Sequence, residues 1–379
     1  MPDALRGCVP TAAQRLLLQA ALLDAPAAAR AWREWYAGYG LEAPDEGSFR
    51  LLPLVFRNLE RTGGGPWPEW EKLRGIHRLA WSRNLWLFHQ VRPMAKELKD
   101  AGIPVMLLKG AALALRVYPD AGARPMQDVD LMVPAARAAD AFAILERRHC
   151  RPKRWRPPEI GPEFYSFCHA MDFESRSGAR VDLHWHAFIQ CCHTAADEPF
   201  WTGAAPFDFL GIEVLAPAAT EHLLQLCVHG IVRSPTPSVR WVADSLLLLR
   251  AETVDWARLA GLACRLDVAP YLAAALNYLR SEWNAPVPDA TLRALADAPN
   301  GAGTREEFER EVAPLAQRSA WTDLLTFWAR WRRSLGGASP WLRLPAFARH
   351  LQYAFELDRM RMLPAQFARS AWRRMGAPQ

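Results

Sequence analysis

Arg124-Pro125-Met126-Gln127-Asp128-Val129-Asp130-Leu131-Met132 reads as an apolar strand that carries two carboxylates. Val129, Leu131, Met132 and Val133 have the texture of a buried strand. Successive side chains on a strand point to opposite faces, so Asp128 and Asp130 share one face. Two carboxylates on one face repel each other and lose hydration. A positive group is expected between them.

The flanking sequence supplies candidates. Upstream, Ile103–Leu108 reads as a short strand, Lys109-Gly110 as a turn, and Ala111–Val117 as a helix start. A glycine at a strand end lets a ligand approach the backbone, and the following helix offers free N–H groups to an anion. Downstream, Pro134–His149 reads as an alanine-rich amphipathic helix. Strands are expected around Phe164–Phe173 and Ala179–His186, joined by the turn Glu174–Gly178. In Val181-Asp182-Leu183-His184-Trp185-His186, the residues Asp182, His184 and His186 share one face. Three carboxylates near a phosphate-cradling turn suit hard cations such as Mg²⁺, or Mn²⁺. Two such ions can clamp the attacking and leaving oxygens of an in-line phosphoryl displacement.

The order strand–Lys-Gly–helix, then R-P-x-x-D-V-D-L-x-V, then V-D-L-H-W, resembles the DNA polymerase β-type nucleotidyltransferase superfamily. Within it, the likeness is to the bacterial group called simply "nucleotidyltransferase family protein". That group shows an LKG turn, an RPMGDIDLLV-like strand and a DLHW strand. The resemblance spans roughly residues 100–250. It implies an NTP donor, two Mg²⁺ ions, and metal ligands at Asp128, Asp130 and Asp182 that also serve catalysis. It implies nucleotide contacts at Lys109, Gly110, Ala111 and Arg124. Gly110 matches the first glycine of the superfamily's turn. Ala111 replaces its second small polar residue, and Gln127 stands where the group has glycine. Arg124 has two readings, a triphosphate contact or an ion-pair partner of the aspartates. His184, His186, His229 and Arg240 are candidates for the acceptor side, with packing roles as the alternative. Arg240 and Asp244 have the spacing of a helical ion pair.

Composition sets the outer limits. The chain has 379 residues, 51% of them hydrophobic, enough for several domains and a sizeable core. No apolar run approaches the ~20 residues of a spanning helix. Residues 15–30 faintly imitate a signal peptide, but Gln19 and Asp24 interrupt them and an amphipathic helix is expected. Seven cysteines without a CxxC pair point to buried thiols in a reducing cytoplasm. Cys191-Cys192-His193 lacks a second cluster to complete a metal site. The formal charge is +6, and the stretch from Gln317 onward carries an excess of eight, leaving the rest near −2.

The fold expected is α+β: a small mixed β-sheet nucleotidyltransferase core flanked by N-terminal and C-terminal helical regions. The boundaries read 1–100 for an N-terminal helical region and 101–215 for the core. Residues 216–300 read as a helical domain covering the cleft, with 286–303 as loop, and 301–379 as a basic Trp/Arg-rich helical tail. Trp321, Trp328, Trp331, Trp341 and Trp372 sit among arginines in that tail, which suits contact with an anionic membrane surface or plain helix packing. No nucleic-acid-binding module is recognised, so nucleic acid is not an expected partner. The expected activity is Mg²⁺-dependent transfer of an NMP group to a hydroxyl or phosphate of a small-molecule, peptide or protein acceptor. The alternatives are kinase-like phosphoryl transfer on the same fold, or a non-catalytic, antitoxin-like module that binds nucleotide or a partner.

Overall fold

A computed structural model describes residues 5, 7–63, 65–153, 162–232, 239–299, 304–313, 320–335 and 344–368. Trp341 and Trp372 of the expected tail lie outside the described residues. The chain opens with four helices, α1 (Ala12–Leu22), α2 (Ala27–Tyr39), α3 (Glu46–Phe49) and α4 (Leu52–Thr62). Thr11 and Gln14 form a reciprocal capping box on α1, which takes up two otherwise orphaned N–H groups. The long α5 (Trp70–Asp100) ends at Gly102, whose φ of +69° lets Ile103 donate back to Leu98 O at 3.0 Å.

That turn feeds β1 (Met106–Leu107), α6 (Lys109–Arg116) and β2 (Val129–Met132). Then come α7 (Ala138–Arg147), β3 (Arg151–Pro152), α8 (Pro162–Phe167), β4 (Ala170–Glu174) and β5 (Arg180–His184). The core closes with α9 (Thr194–Thr202), β6 (Ala205–Asp208) and β7 (Glu213–Ala216). The seven strands form one sheet in the order β3-β4-β5-β2-β1-β7-β6. The β2–β5 and β1–β7 pairs are parallel and the others antiparallel, so the sheet is mixed, as expected.

One sheet face is apolar. Val129, Leu131, Val181 and Leu183 pack with Phe88 and Val91 of α5 and Phe142 of α7. The alternate residues Asp130, Asp182 and His184 therefore emerge together on the other face. A second apolar core joins α1, α2 and α4 to the helices after the sheet: α10 (Ala219–Gly230), α11 (Arg240–Ala251), α12 (Trp256–Arg265) and α13 (Ala269–Trp283). They are followed by α14 (Asp289–Ala296), α15 (Thr304–Val312), α16 (Ala320–Ser334) and α17 (Leu344–Ala354).

Three local expectations are corrected. Residues 164–167 are helical, and only Ala170–Glu174 is strand, because this apolar run packs as a helix beside Trp185 and Tyr353. Within the expected loop 286–303, the capless segment Asp289–Ala296 forms a helix that buries Leu295. The β6–β7 hairpin was not anticipated, since Pro206 and its exposed neighbours give it no alternating pattern. In the basic tail, Trp331 is buried against Phe347, their rings 5.0 Å apart, while Trp321 stays exposed. Arg330 and Arg333 pair with Glu307, and Arg330 also with Glu311. No helix among the described residues is long and apolar enough to cross a membrane.

Asn84, fully buried on α5, fixes the segment that leads into β2. Its amide donates to Ala121 O and to Arg124 O (2.8 Å), and its carbonyl accepts from Met126 N at 3.1 Å. Leucine has a similar size but leaves all three backbone groups without partners. Asn84→Leu is expected to cost about 2–4 kcal/mol, read as a lower midpoint in urea unfolding with an unchanged slope.

Candidate active site

The parallel register sets Asp130 opposite Asp182, with Met132 opposite His184. Neighbouring strands lie ~4.8 Å apart, so the two carboxylates are forced side by side. Asp128 precedes β2 and is two residues from Asp130, on the same face. On the far side of β5, β4 places Asp172 opposite Asp182.

The positive groups between the carboxylates are Lys109 and His184. Lys109 Nζ lies 2.8 Å from Asp130 Oδ1 and 3.2 Å from His184 Nε2. His184 Nε2 is 2.8 Å from Asp182 Oδ2 and 3.2 Å from Asp130 Oδ1. Lys109 reaches back over the sheet because its φ is +40°, in the left-handed region at the strand-to-helix turn. For a lysine that conformation costs of order 1–3 kcal/mol and persists only where surroundings enforce it.

The electrostatics follow from these contacts. Burial works against ionised Asp130 and Asp182, but Lys109 beside the first and His184 beside the second hold both carboxyls below the usual range. Burial also opposes charge on His184; Asp182 overcomes it and raises the imidazole to about 9. Asp128 has no such partner among the described residues, and burial together with Asp130 pushes it up to about 6. His169, with its ring 5.3 Å from that of His184, is kept neutral by burial and by the His184 charge.

The sequence-predicted residues separate into groups. Lys109, Asp128, Asp130, Asp182 and His184 come together. Arg124 does not join them. It forms a two-point bond to Asp244 of α11, Nε to Oδ1 and Nη2 to Oδ2, both 2.8 Å, and Tyr118 donates to the same carboxylate at 2.6 Å. Arg124 is therefore an ion-pair partner of Asp244 and not of Asp128, Asp130 or Asp182. It also displaces the expected Arg240–Asp244 pair; Arg240 donates instead to Pro125 O.

Gly110 is needed for Arg124, since a Cβ there would collide with the guanidinium, whose Cζ would lie 3.1 Å away. Ala111 is buried in the apolar core rather than exposed to a ligand. His186 is also taken up structurally, with Nδ1 2.6 Å from Asp197 Oδ2 and Nε2 2.8 Å from Tyr165 O. Cys191 and Cys192 are buried free thiols, and His193 caps α9 through Nδ1.

Two cavities flank the carboxylate row. One, of about 420 Å³, is lined by Lys109, His169, His184 and His229 below and by Arg310 and Phe327 of α15 and α16 above. The field of Lys109, helped by burial, lowers His229 to about 4. The other, of about 260 Å³, lies between α3–α5 and the segment Pro125–Asp128, and Arg240 faces it.

Asp130, Asp182 and His184 offer ligand atoms within 4.8 Å of one another, a cluster that could hold a metal ion. The carboxylate oxygens suit a hard cation, and Asp128 beside them forms no ion pair among the described residues, so the donor set fits one. Lys109 sits where such an ion would lie and would have to move aside.

The chain belongs to the family described as uncharacterised nucleotidyltransferases, whose sequence profile matches residues 48–284. This bears out the resemblance carried by the Lys-Gly turn and the DVD and DLHW strands. Among solved structures, the antibiotic-resistance factor ANT(2'')-Ia aligns at 16% identity and TM-score 0.34, covering 52% of this chain and 97% of its own. An antigenic nucleotidyltransferase-like protein from Paracoccidioides brasiliensis aligns at 15% identity and TM-score 0.36, covering 58% and 96%. No curated protein matches.

The Asp128 environment gives a signed test. Its folded-state value is raised, so ionising it costs folding free energy: stability falls as pH rises from about 4 through about 6 and levels off above. Asp128→Asn removes that fall. The metal-free variant is expected to exceed wild type by about 1–3 kcal/mol at pH 7.5, and to match it near pH 3.5, in urea unfolding.

Proposed function

We propose that this protein is a Mg²⁺-dependent nucleotidyltransferase that moves an NMP group from an NTP to a hydroxyl or phosphate of a small-molecule, peptide or protein acceptor. The observation that carries the reading is the aligned pair Asp130–Asp182 with Asp128 on the same face, between two cavities. Asp128, Asp130 and Asp182 would hold the metal, with Mn²⁺ as a substitute that accepts the His184 nitrogen more readily. When bound, the metal supplies charge stabilisation on the phosphoryl oxygens.

The chain's own groups do the rest. The acceptor enters the cavity under α15 and α16, where Lys109, His169 and His229 face it. Its oxygen attacks the α-phosphorus, the acceptor O–P bond forms, and the bond to the bridging oxygen breaks, so that pyrophosphate leaves with the electron pair. Asp182 receives the acceptor proton, and His184, held 2.8 Å away, keeps that carboxylate oriented. With a metal held by the carboxylates, Lys109 would no longer be needed as the counter-charge of Asp130, and its ammonium would be free to face the cavity that it lines. Catalysis is mostly positioning and charge stabilisation.

Asp130→Ala is expected to abolish the Mg²⁺ dependence of NTP binding in calorimetry with a non-hydrolysable analogue. Asp182→Asn should still bind the analogue but lose roughly 10²–10⁴-fold in pyrophosphate release, the range for a positioned general base. Intact-mass analysis of candidate acceptors separates the chemistries: a nucleotidyl increment supports the reading, and a phosphoryl increment replaces it with a kinase reaction. Mg²⁺-independent binding in wild type would remove the metal from the assignment.

A further inference from the structure

The cavity on the N-terminal side of the carboxylate row has an unusual set of walls. Glu46, Phe49 and Arg50 come from α3 and its end; Ile76, Leu79 and Arg83 come from α5. Gln127, Asp128 and Arg240 close it from the sheet side. Arg50 is paired with Glu46 of its own short helix. Arg83 is exposed and pairs with no carboxylate among the described residues. Arg240 donates only to Pro125 O, and its buried Nε has no partner among the described residues. The nearby counter-charge, Asp244, is already held by Arg124 and Tyr118.

Arg240 and Asp128 thus face one cavity as opposite charges that are not bonded to each other. Arg83 lines the same cavity and adds a second positive charge on the side of α5. A half-buried guanidinium whose Nε is buried without an acceptor favours an anion, and a half-buried carboxylate without a donor among the described residues favours a cation. A metal–polyphosphate complex satisfies both at once. The same opening carries exposed apolar side chains, Phe49 and Leu79, which a planar base would cover.

We infer that this cavity binds the triphosphate of the donor nucleotide, with Arg240 and Arg83 as its anion contacts and Asp128 turned toward the cation that those phosphates carry. The inference rests on the nucleotidyl-transfer reading and adds the side of entry. Donor phosphates come in between α5 and β2, acceptor groups from under α16, and the carboxylate row lies between them. It also moves the phosphate contacts from the Lys109–Ala111 turn, where Arg124 already fills the space, to helices outside the sheet.

The test is calorimetry with an α,β-methylene nucleoside triphosphate in Mg²⁺, and displacement of that analogue by inorganic tripolyphosphate. Arg83→Gln and Arg240→Gln are each expected to weaken analogue binding about tenfold or more, as for a charge-assisted contact. Arg78→Gln removes the same charge from the same helix outside the cavity and is expected to change binding less than twofold. Arg83 is exposed, so its variant carries the test should the buried Arg240→Gln variant fail to fold. Wild-type affinity in Arg83→Gln, or failure of tripolyphosphate to displace the analogue, overturns the inference and leaves nucleotidyl transfer standing. Absence of any NTP binding to the wild-type protein in Mg²⁺ or Mn²⁺ sinks both.

Discussion

The parallel pairing of β2 with β5 is the constraint on which the site depends. It fixes Asp130 opposite Asp182, and no side-chain rotation separates two carboxylates on adjacent strands by much. Their repulsion has to be met locally. Lys109 meets it from the strand-to-helix turn, at the cost of a left-handed backbone, and His184 meets it from one step along β5. The apolar residues alternating with these charges pack on α5 and α7, so a one-residue slip would bury charge and expose the core. Function and folding therefore hold the same register.

A second set of buried polar contacts supports that register from behind. Asn84 ties the Ala121–Met126 segment to α5, and the Arg124–Asp244–Tyr118 cluster ties it to α11. In both networks the polar groups find partners, and breaking one member would leave the others buried and unpaired. Asp128 and Arg240 stand apart from this economy of contacts. Both line one cavity, where Arg240 donates to Pro125 O and its Nε has no partner among the described residues.

The sequence carried the centre of the site and less of its surroundings. The alternation in Val129-Asp130-Leu131 and Val181-Asp182-Leu183-His184 was enough to put the charged residues on one face, and the family match agrees with the motif order. The mixed sheet with helical flanks was also legible, because α5 and the helices after the sheet have long, clear periodicity. Partner choice was not legible. Arg124 and Asp244 are 120 residues apart, and nothing in either neighbourhood signals the other. Nor could the sequence show that Gly110 makes room for the Arg124 guanidinium. The edge hairpin β6–β7 was missed because its outer strand is exposed and contains proline. The cavity facing Asp128 could not be foreseen because its arginines come from α3, α5 and α11, which only tertiary packing brings together.

The central claim is that the Asp128–Asp130–Asp182 row exists to hold a divalent cation and that Lys109 keeps its place in the meantime. The most direct measurement is a crystal structure with Mn²⁺ and a non-hydrolysable NTP, using anomalous scattering to locate the ion. The expected result is an anomalous peak bridging Asp130 and Asp182, within coordination distance of a carboxylate oxygen from each, with Lys109 Nζ moved off Asp130. A Lys109–Asp130 contact unchanged at saturating Mn²⁺, with no peak between the two carboxylates, would contradict it.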